Sequence, residues 1–285
     1  MPLHPAAPED LPGLVAAYRQ TIQAVVDLGR TCSDADFAKP TACPGWTVKD
    51  QISHIVGLES WLHTGEVPQL PVPDYEHIRS ETGRFVEKSV EQRRHMVGSK
   101  VVNELETIAT QRIQQFSSPD LTPETVIRGA WGPAPARESL RTRILDIWTH
   151  EQDIRQALGR PGDLDSGGAA VFMDLLFAAL PKLVARNAGI PPGNVVIIDV
   201  TGPVLGRAGV WVEEGEDGGQ PRGIPLFSGV AHDGDPRDVF TTITMSTDAL
   251  TRRAAGRGTL EDIHFTVHGD EQVARRVLEN LVFVP

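Results

Sequence analysis

At 285 residues the chain is long enough for two domains, each able to bury its own core. Its 38 acidic and 27 basic side chains give a formal charge of −11, which argues against nucleic acid as a partner, because nonspecific affinity for phosphates comes from clustered Lys and Arg. A hydrophobic content of 40 % with 23 % charged residues is ordinary for a globular protein, and two cysteines outside any C-x-x-C spacing, Cys32 and Cys43, read as those of a reduced, cytoplasmic one. The run LLFAAL is far below the ~20 residues of a spanning helix, and the opening MPLHPAAPEDLPGL lacks the basic and apolar regions of a secretory signal, so neither a membrane nor secretion is expected.

Leu14, Tyr18, Ile22, Val25, Val26 and Leu28 recur at helical spacing and predict a first helix over residues 11–32. Thr47, followed three residues later by Asp50, is a capping signal for a second helix over 48–63. Pro68, Pro71 and Pro73 mark a loop, and the broken helical pattern over 85–116, weakest at Gly98, predicts a third long helix in one piece or two. After a loop around GAWGPAPA, a fourth helix runs over 137–158 and stops at Gly159 and Pro161. A further helix over 169–188 leads into GIPPGN. Four long helices joined by loops predict an antiparallel bundle, an architecture that builds ligand sites from side chains facing each other across its core. Beyond Pro192 the period changes from 3.6 to 2. VVIIDV, AGVWVEE, DVFTTITM and DIHFTVHG read as strands, with short helices in TDALTRRAAGR and DEQVARRVLENL. The expected fold class is therefore α+β: a helical bundle over 1–190 and a small α+β domain over 191–285.

The fourth helix carries the chemistry, in RILDIWTHEQDIRQALGRPG. Asp146, His150 and Asp153 fall on one stripe, with Arg143 one turn earlier, beside an apolar stripe of Leu140, Ile144, Ile147, Ile154 and Leu158. Polar groups at the edge of a core need partners, since burying one without them costs about 2–7 kcal/mol. A divalent metal is one such partner, because a carboxylate and an imidazole one helical turn apart can reach a single ion. His54 is the best third ligand, for Leu58 and Trp61 place it on an inward face of the second helix. The alternatives stay open: His54 as a hydrogen-bonded core histidine, and Asp146 with His150 as a helical ion pair. His63 and His95 read as solvated, and His264 and His268 as strand-face residues. Cys43 reads as a small side chain fixing its turn. No nucleophile elbow, P-loop or dinucleotide fingerprint is present.

CPGWTVKDQISHIVGLESWL and RILDIWTHEQDIRQALGRPG together resemble the mycothiol-dependent maleylpyruvate isomerase family, and DALTRRAAGR with VHGDEQVARRVLENL resembles its C-terminal part. The resemblance implies a DinB-like four-helix bundle followed by a small, sterol-carrier-like α+β domain. It implies a zinc or other divalent ion held by His54, Asp146 and His150, with mycothiol as thiol cosubstrate and a small electrophile as partner. It also implies a functional arginine, which falls on Arg257 in AAGRGT. The isomerase pattern has Glu where this chain has Asp146, so the carboxylate here is one methylene shorter. The expected function is thiol S-transfer or thiol-assisted isomerisation, the alternative being a noncatalytic ligand-binding or regulatory protein on the same bundle. Asp153 is expected to orient a ligand or to pair with an arginine such as Arg155.

Overall fold

The computed structural model describes residues 6–215, 218–227 and 239–284. Helix α1 (Leu11–Arg30) starts where the Asp10 carboxylate accepts from the Gly13 amide at 2.8 Å, and it buries Leu14, Tyr18, Ile22 and Val25. A one-turn helix α2 (Asp34–Phe37) precedes α3 (Val48–Thr64). The expected cap at Thr47 is a full capping box: Thr47 Oγ1 accepts from the Asp50 amide, and the Asp50 carboxylate accepts from the Thr47 amide at 3.0 Å. Gly65, at φ 84°, closes α3 in the left-handed region that a side chain would strain.

The third helix expected over 85–116, in one piece or two, is in two: α4 (Glu81–Glu91) and α5 (Gly98–Phe116). The break is real at Gly98, where an added Cβ would lie 2.3 Å from the Phe37 ring, so the start of α5 has room only for glycine. The GAWGPAPA loop is instead a hairpin, β1 (Val126–Gly129) paired antiparallel with β2 (Gly132–Pro135), leading into α6 (Ala136–Leu158). The helix α6 ends at Gly159, φ 65°. Helices α1, α3, α5 and α6 form the four-helix bundle: α1 packs on α5 and α6, and α3 packs on the same two from the other side. The fourth-helix site is thereby set against α3, and α4 lies along the outer side of α3.

Contacts divide the chain into two compact units at Gly168 and Ala169, ahead of the expected seam at residue 190. The displaced piece is α7 (Gly167–Lys182), continued by one π-turn over Leu183–Asn187. It joins the C-terminal unit because its apolar side chains cover the sheet: Phe172 meets Phe283 edge to face at 5.3 Å, and Phe177 fills the space where Gly206 has no Cβ. By length and composition this segment could cross a membrane, yet most of it is buried inside the fold, as a core helix is.

The sheet contains β3 (Asn194–Thr201), β4 (Leu205–Glu213), β5 (Arg222–Leu226), β6 (Val239–Met245) and β7 (Phe265–His268), in the order β5-β4-β3-β6-β7. The central pair β3 and β6 is parallel and the other pairings are antiparallel. The edge strand β5, RGIPL, was not expected, since Gly223 and Pro225 break its pattern; an edge is where a strand tolerates proline. Helix α8 (Thr247–Ala254) follows β6, and α9 (Glu271–Glu279) buries Ala274, Val277 and Leu278. The observed class is α+β, as expected.

Candidate metal centre

Helix α3 is buried around nearly its whole circumference over residues 50–57, which is unusual for a segment containing Asp50, Gln51, Ser53 and His54. Such a helix needs internal partners for its polar side chains. His54 points at α6, where Asp146 and His150 stand one turn apart. His54 Nε2 lies 3.5 Å from Asp146 Oδ2, and His150 Nε2 lies 3.6 Å from Asp146 Oδ1. The two imidazoles meet at 4.5 Å between ring centres. One ligand atom from each of the three residues lies within 4.8 Å of the others. Tetrahedral zinc bonds of about 2.0–2.2 Å put neighbouring ligand atoms roughly 3.3–3.6 Å apart, so each imidazole stands at about that distance from the carboxylate, though from a different oxygen of it. Asp146 faces both imidazoles from its place on α6, one oxygen towards each.

The hydrogen-bond pattern favours a cation over a closed polar network. Among the described residues neither ring nitrogen of His54 makes a hydrogen bond although both are buried, whereas Asp146 Oδ2, buried too, already faces the Arg143 guanidinium at 2.9 Å. His150 is held differently. Its Nδ1 donates to Gln51 Oε1 at 2.5 Å, and Gln51 is itself fixed by donating to Thr41 Oγ1 at 2.7 Å. A histidine whose Nδ1–H is taken in this way presents the Nε2 lone pair to a metal. Gln51→Leu is therefore expected to weaken zinc binding about 10–100-fold. A competitive chelator titration reads this, and an unchanged affinity would remove Gln51 from the site.

Electrostatics separate the three groups. Burial, reinforced by the neighbouring His150, pushes His54 down and keeps it neutral. Burial also opposes charge on His150, but Asp146 outweighs it and holds the imidazole well above its usual range. For Asp146 burial is again opposed, here by Arg143 first and His150 second, so its carboxyl sits well below the usual range. Arg143 Nη1 lies 2.9 Å from Asp146 Oδ2, and its Nε donates to Glu59 Oε1 at 2.6 Å. Glu59 Oε2 accepts from Arg112 Nε at 2.8 Å. Glu59, Arg112 and Arg143 are all at most 1 % exposed, a buried ionic triad directly behind the centre.

Trp46 covers the two imidazoles, its ring 5.0 Å from that of His54 and 5.9 Å from that of His150. It is held there by its indole N–H, which donates to Glu87 Oε2 at 2.9 Å; Glu87 also binds Arg94 and lies 3.0 Å from His77 Nε2. Asp153 sits on the Nδ1 side of His150, at 3.7 Å, and accepts from Cys43 Sγ at 3.3 Å. Arg155 does not join it, pairing with Glu151 and Asp163 instead. Cys43, His150 and Asp153 form a second potential ligand group, but it uses the ring nitrogen already bonded to Gln51.

The remaining histidine candidates are not among the two groups of potential ligands. His63, His95, His264 and His268 are exposed. Arg257 belongs to the C-terminal unit, where its Nη1 donates to the Ala255 carbonyl at 2.7 Å. Gln51, Glu59, Arg112 and Glu87 were not expected from the sequence. Their one local signal is a polar side chain on an otherwise buried helix face, and for Arg112 and Glu87 even that is weak.

Comparison with known proteins agrees with this fold. A family described as "Mycothiol maleylpyruvate isomerase N-terminal domain" matches residues 18–155, a span containing every residue of the centre. The fold is similar to the crystal structure of a mycothiol-dependent maleylpyruvate isomerase, at 18 % identity and a TM-score of 0.52, covering 90 % of this chain and 92 % of that one. A mutant of a mycothiol-dependent maleylpyruvate isomerase matches with the same identity and coverage and a TM-score of 0.53. No curated protein matches by sequence. Over residues 18–155, a little under half of the chain, the helical bundle resembles the N-terminal domain of mycothiol maleylpyruvate isomerases.

Proposed function

We propose that this chain is a zinc-dependent enzyme that uses mycothiol for S-transfer to, or thiol-assisted cis–trans isomerisation of, a small electrophile. The observation that carries the reading is the convergence of His54, Asp146 and His150, with both buried ring nitrogens of His54 left without a hydrogen bond. Zinc bound there would supply acidity to a coordinated thiol, whose own pKa near ~8.5 leaves it mostly protonated at neutral pH. The chain's residues do the positioning. Gln51 fixes the tautomer of His150, Arg143 balances the charge of Asp146, and Trp46 shields both imidazoles from water. Arg257 is assigned to a substrate carboxylate or developing oxyanion, for which a guanidinium is suited by charge and by its paired donors.

The test is turnover by protein purified without chelators. Mycothiol-dependent isomerisation of maleylpyruvate, or mycothiol transfer to an added electrophile, is expected, together with loss on chelation and recovery with zinc. Turnover indifferent to chelation would sink the metal assignment. Metal-containing protein inactive towards every electrophile would favour the noncatalytic, ligand-binding alternative.

A further inference from the structure

Cys43 opens the turn CPGW, and that turn is built without its thiol. Pro44 and Gly45 take the two middle places, Gly45 at φ 78°, and the Trp46 amide donates back to the Cys43 carbonyl at 3.1 Å. Thr41 ties the ends together: its amide donates to the Trp46 carbonyl at 3.0 Å, and its hydroxyl accepts from the Cys43 amide at 3.3 Å. The thiol is thereby held against α6, where Cys43 Sγ lies 3.3 Å from Asp153 Oδ2. The same carboxylate oxygen lies 3.7 Å from His150 Nδ1, and one ligand atom from each of the three residues lies within 4.8 Å of the others. Bonds of about 2.3 Å to sulfur and 2.0–2.2 Å to nitrogen or oxygen put the ligand atoms of a tetrahedral ion roughly 3.3–3.6 Å apart, so both measured edges have about that spacing, and they meet at one oxygen. Pro44 and Gly45 are exposed, which leaves the turn open to an ion arriving from solvent.

We propose that Cys43, Asp153 and His150 Nδ1 form a second metal site, for a thiophilic ion such as cadmium or copper(I), and that filling it expels zinc from the centre of His54, Asp146 and His150. The expulsion rests on the reading of that centre as a zinc site; the second site does not. Its selectivity comes from sulfur, since a thiolate favours soft ions, whereas the first centre offers only nitrogen and oxygen. Its antagonism comes from the shared ring. A neutral imidazole has one lone pair, and while Nδ1–H donates to Gln51 that pair is on Nε2, beside Asp146. An ion on Nδ1 takes the proton's place: the ring then keeps its one proton on Nε2, which can no longer bind zinc, and the Cys43 thiol releases its own proton to solvent. Gln51 has to turn aside, since its Oε1 is 2.5 Å from Nδ1 and its Nε2 is 3.5 Å from Asp153 Oδ2. By linkage, zinc at the first centre weakens the second site by the same factor.

The test adds cadmium chloride to metal-free protein and reads the ultraviolet thiolate-to-cadmium charge-transfer band. A band saturating at about one equivalent is expected in the wild type and in Cys32→Ser, none in Cys43→Ser, and cadmium affinity at least about tenfold weaker in Asp153→Asn. With zinc-loaded protein and a zinc indicator, cadmium is expected to release zinc from the wild type at concentrations at least about tenfold below those that Cys43→Ser requires, while that variant keeps wild-type zinc content before cadmium is added. Absence of the band from the wild type, or its survival in Cys43→Ser, overturns the second site. A full band with zinc still bound overturns the antagonism. If the band behaves as expected in protein that never takes up zinc, the second site stands and the zinc reading of the first centre falls.

Discussion

Glu59→Ala is expected to destabilise the bundle by about 3–5 kcal/mol, the cost of removing one partner from a buried ion pair and leaving the other charged. Both Glu59 oxygens are committed, one to Arg143 and one to Arg112, and none of the three side chains has meaningful contact with water. Arg112 retains Gln115, to which its Nη1 donates at 2.6 Å, and its cation–π contact with Phe116 at 4.3 Å; Arg143 retains Asp146. These remaining contacts keep the loss below that of two bare charges. Chemical denaturation reads the change, and a loss under about 1 kcal/mol would show that water or a rearrangement replaces the carboxylate. A double variant, Glu59→Leu with Arg112→Met, is expected to recover part of the loss, because well-packed apolar groups substitute for buried ion pairs at little cost.

The same residue gives the protein an acid limb. Burial alone would raise the Glu59 carboxyl, but Arg143 and Arg112 overcome it and hold its pKa below the usual value. A carboxyl lowered on folding contributes stability above its unfolded value of about 4.3 and loses it as pH falls through the folded value. Wild-type stability is therefore expected to decline below pH ~4.3, and Glu59→Gln to flatten that decline while lowering stability at neutral pH.

How much of this was legible in the chain depends on the range of the signal. Helices α1, α3 and α6 announce themselves because an apolar stripe repeats every turn, and local groups mark two of their ends: the Thr47–Asp50 pair at the start of α3 and Gly159 at the stop of α6. The break between α4 and α5 was legible only as a weak point at Gly98, since the cause, Phe37 packed on Gly98, is a tertiary contact. Helix α7 gives no direction for the opposite reason. Apolar on nearly all sides, it suits either core, and only the sheet it covers decides. The hairpin β1–β2 and strand β5 are short and carry glycine and proline, so neither has an alternation to read. In the site, Asp146 and His150 share a helix and their spacing could be counted. Gln51, Glu59 and Arg112 reach the centre only through folding: Gln51 lies 99 positions from His150, and Arg112 lies 53 from Glu59.

Removing and restoring the metal is expected to move protons as well as activity. In metal-free protein Asp146 faces Arg143 and a protonated His150, since Asp146 holds that imidazole's pKa well above its usual range despite burial. His54 is neutral, pushed down by burial and by His150. The His150 proton thus occupies the electrostatic role that a cation fills in loaded protein, so chelated protein is expected to stay folded at pH 7. Rebinding zinc must expel that proton, because a ligating imidazole is neutral. Titration of zinc into chelated protein in weak buffer is expected to release about one proton per ion bound at pH 7. His150→Ala removes both the ligand and the proton: it is expected to hold less than about a tenth of an equivalent of zinc, to release none on titration, and to lose thiol-dependent turnover. Zinc in a 100-fold excess over its Kd would stabilise the wild type by about 2.7 kcal/mol and leave this variant unmoved. If Asp146→Asn and His150→Ala both retained wild-type metal content, the three side chains would be a buried network and the metal would lie elsewhere.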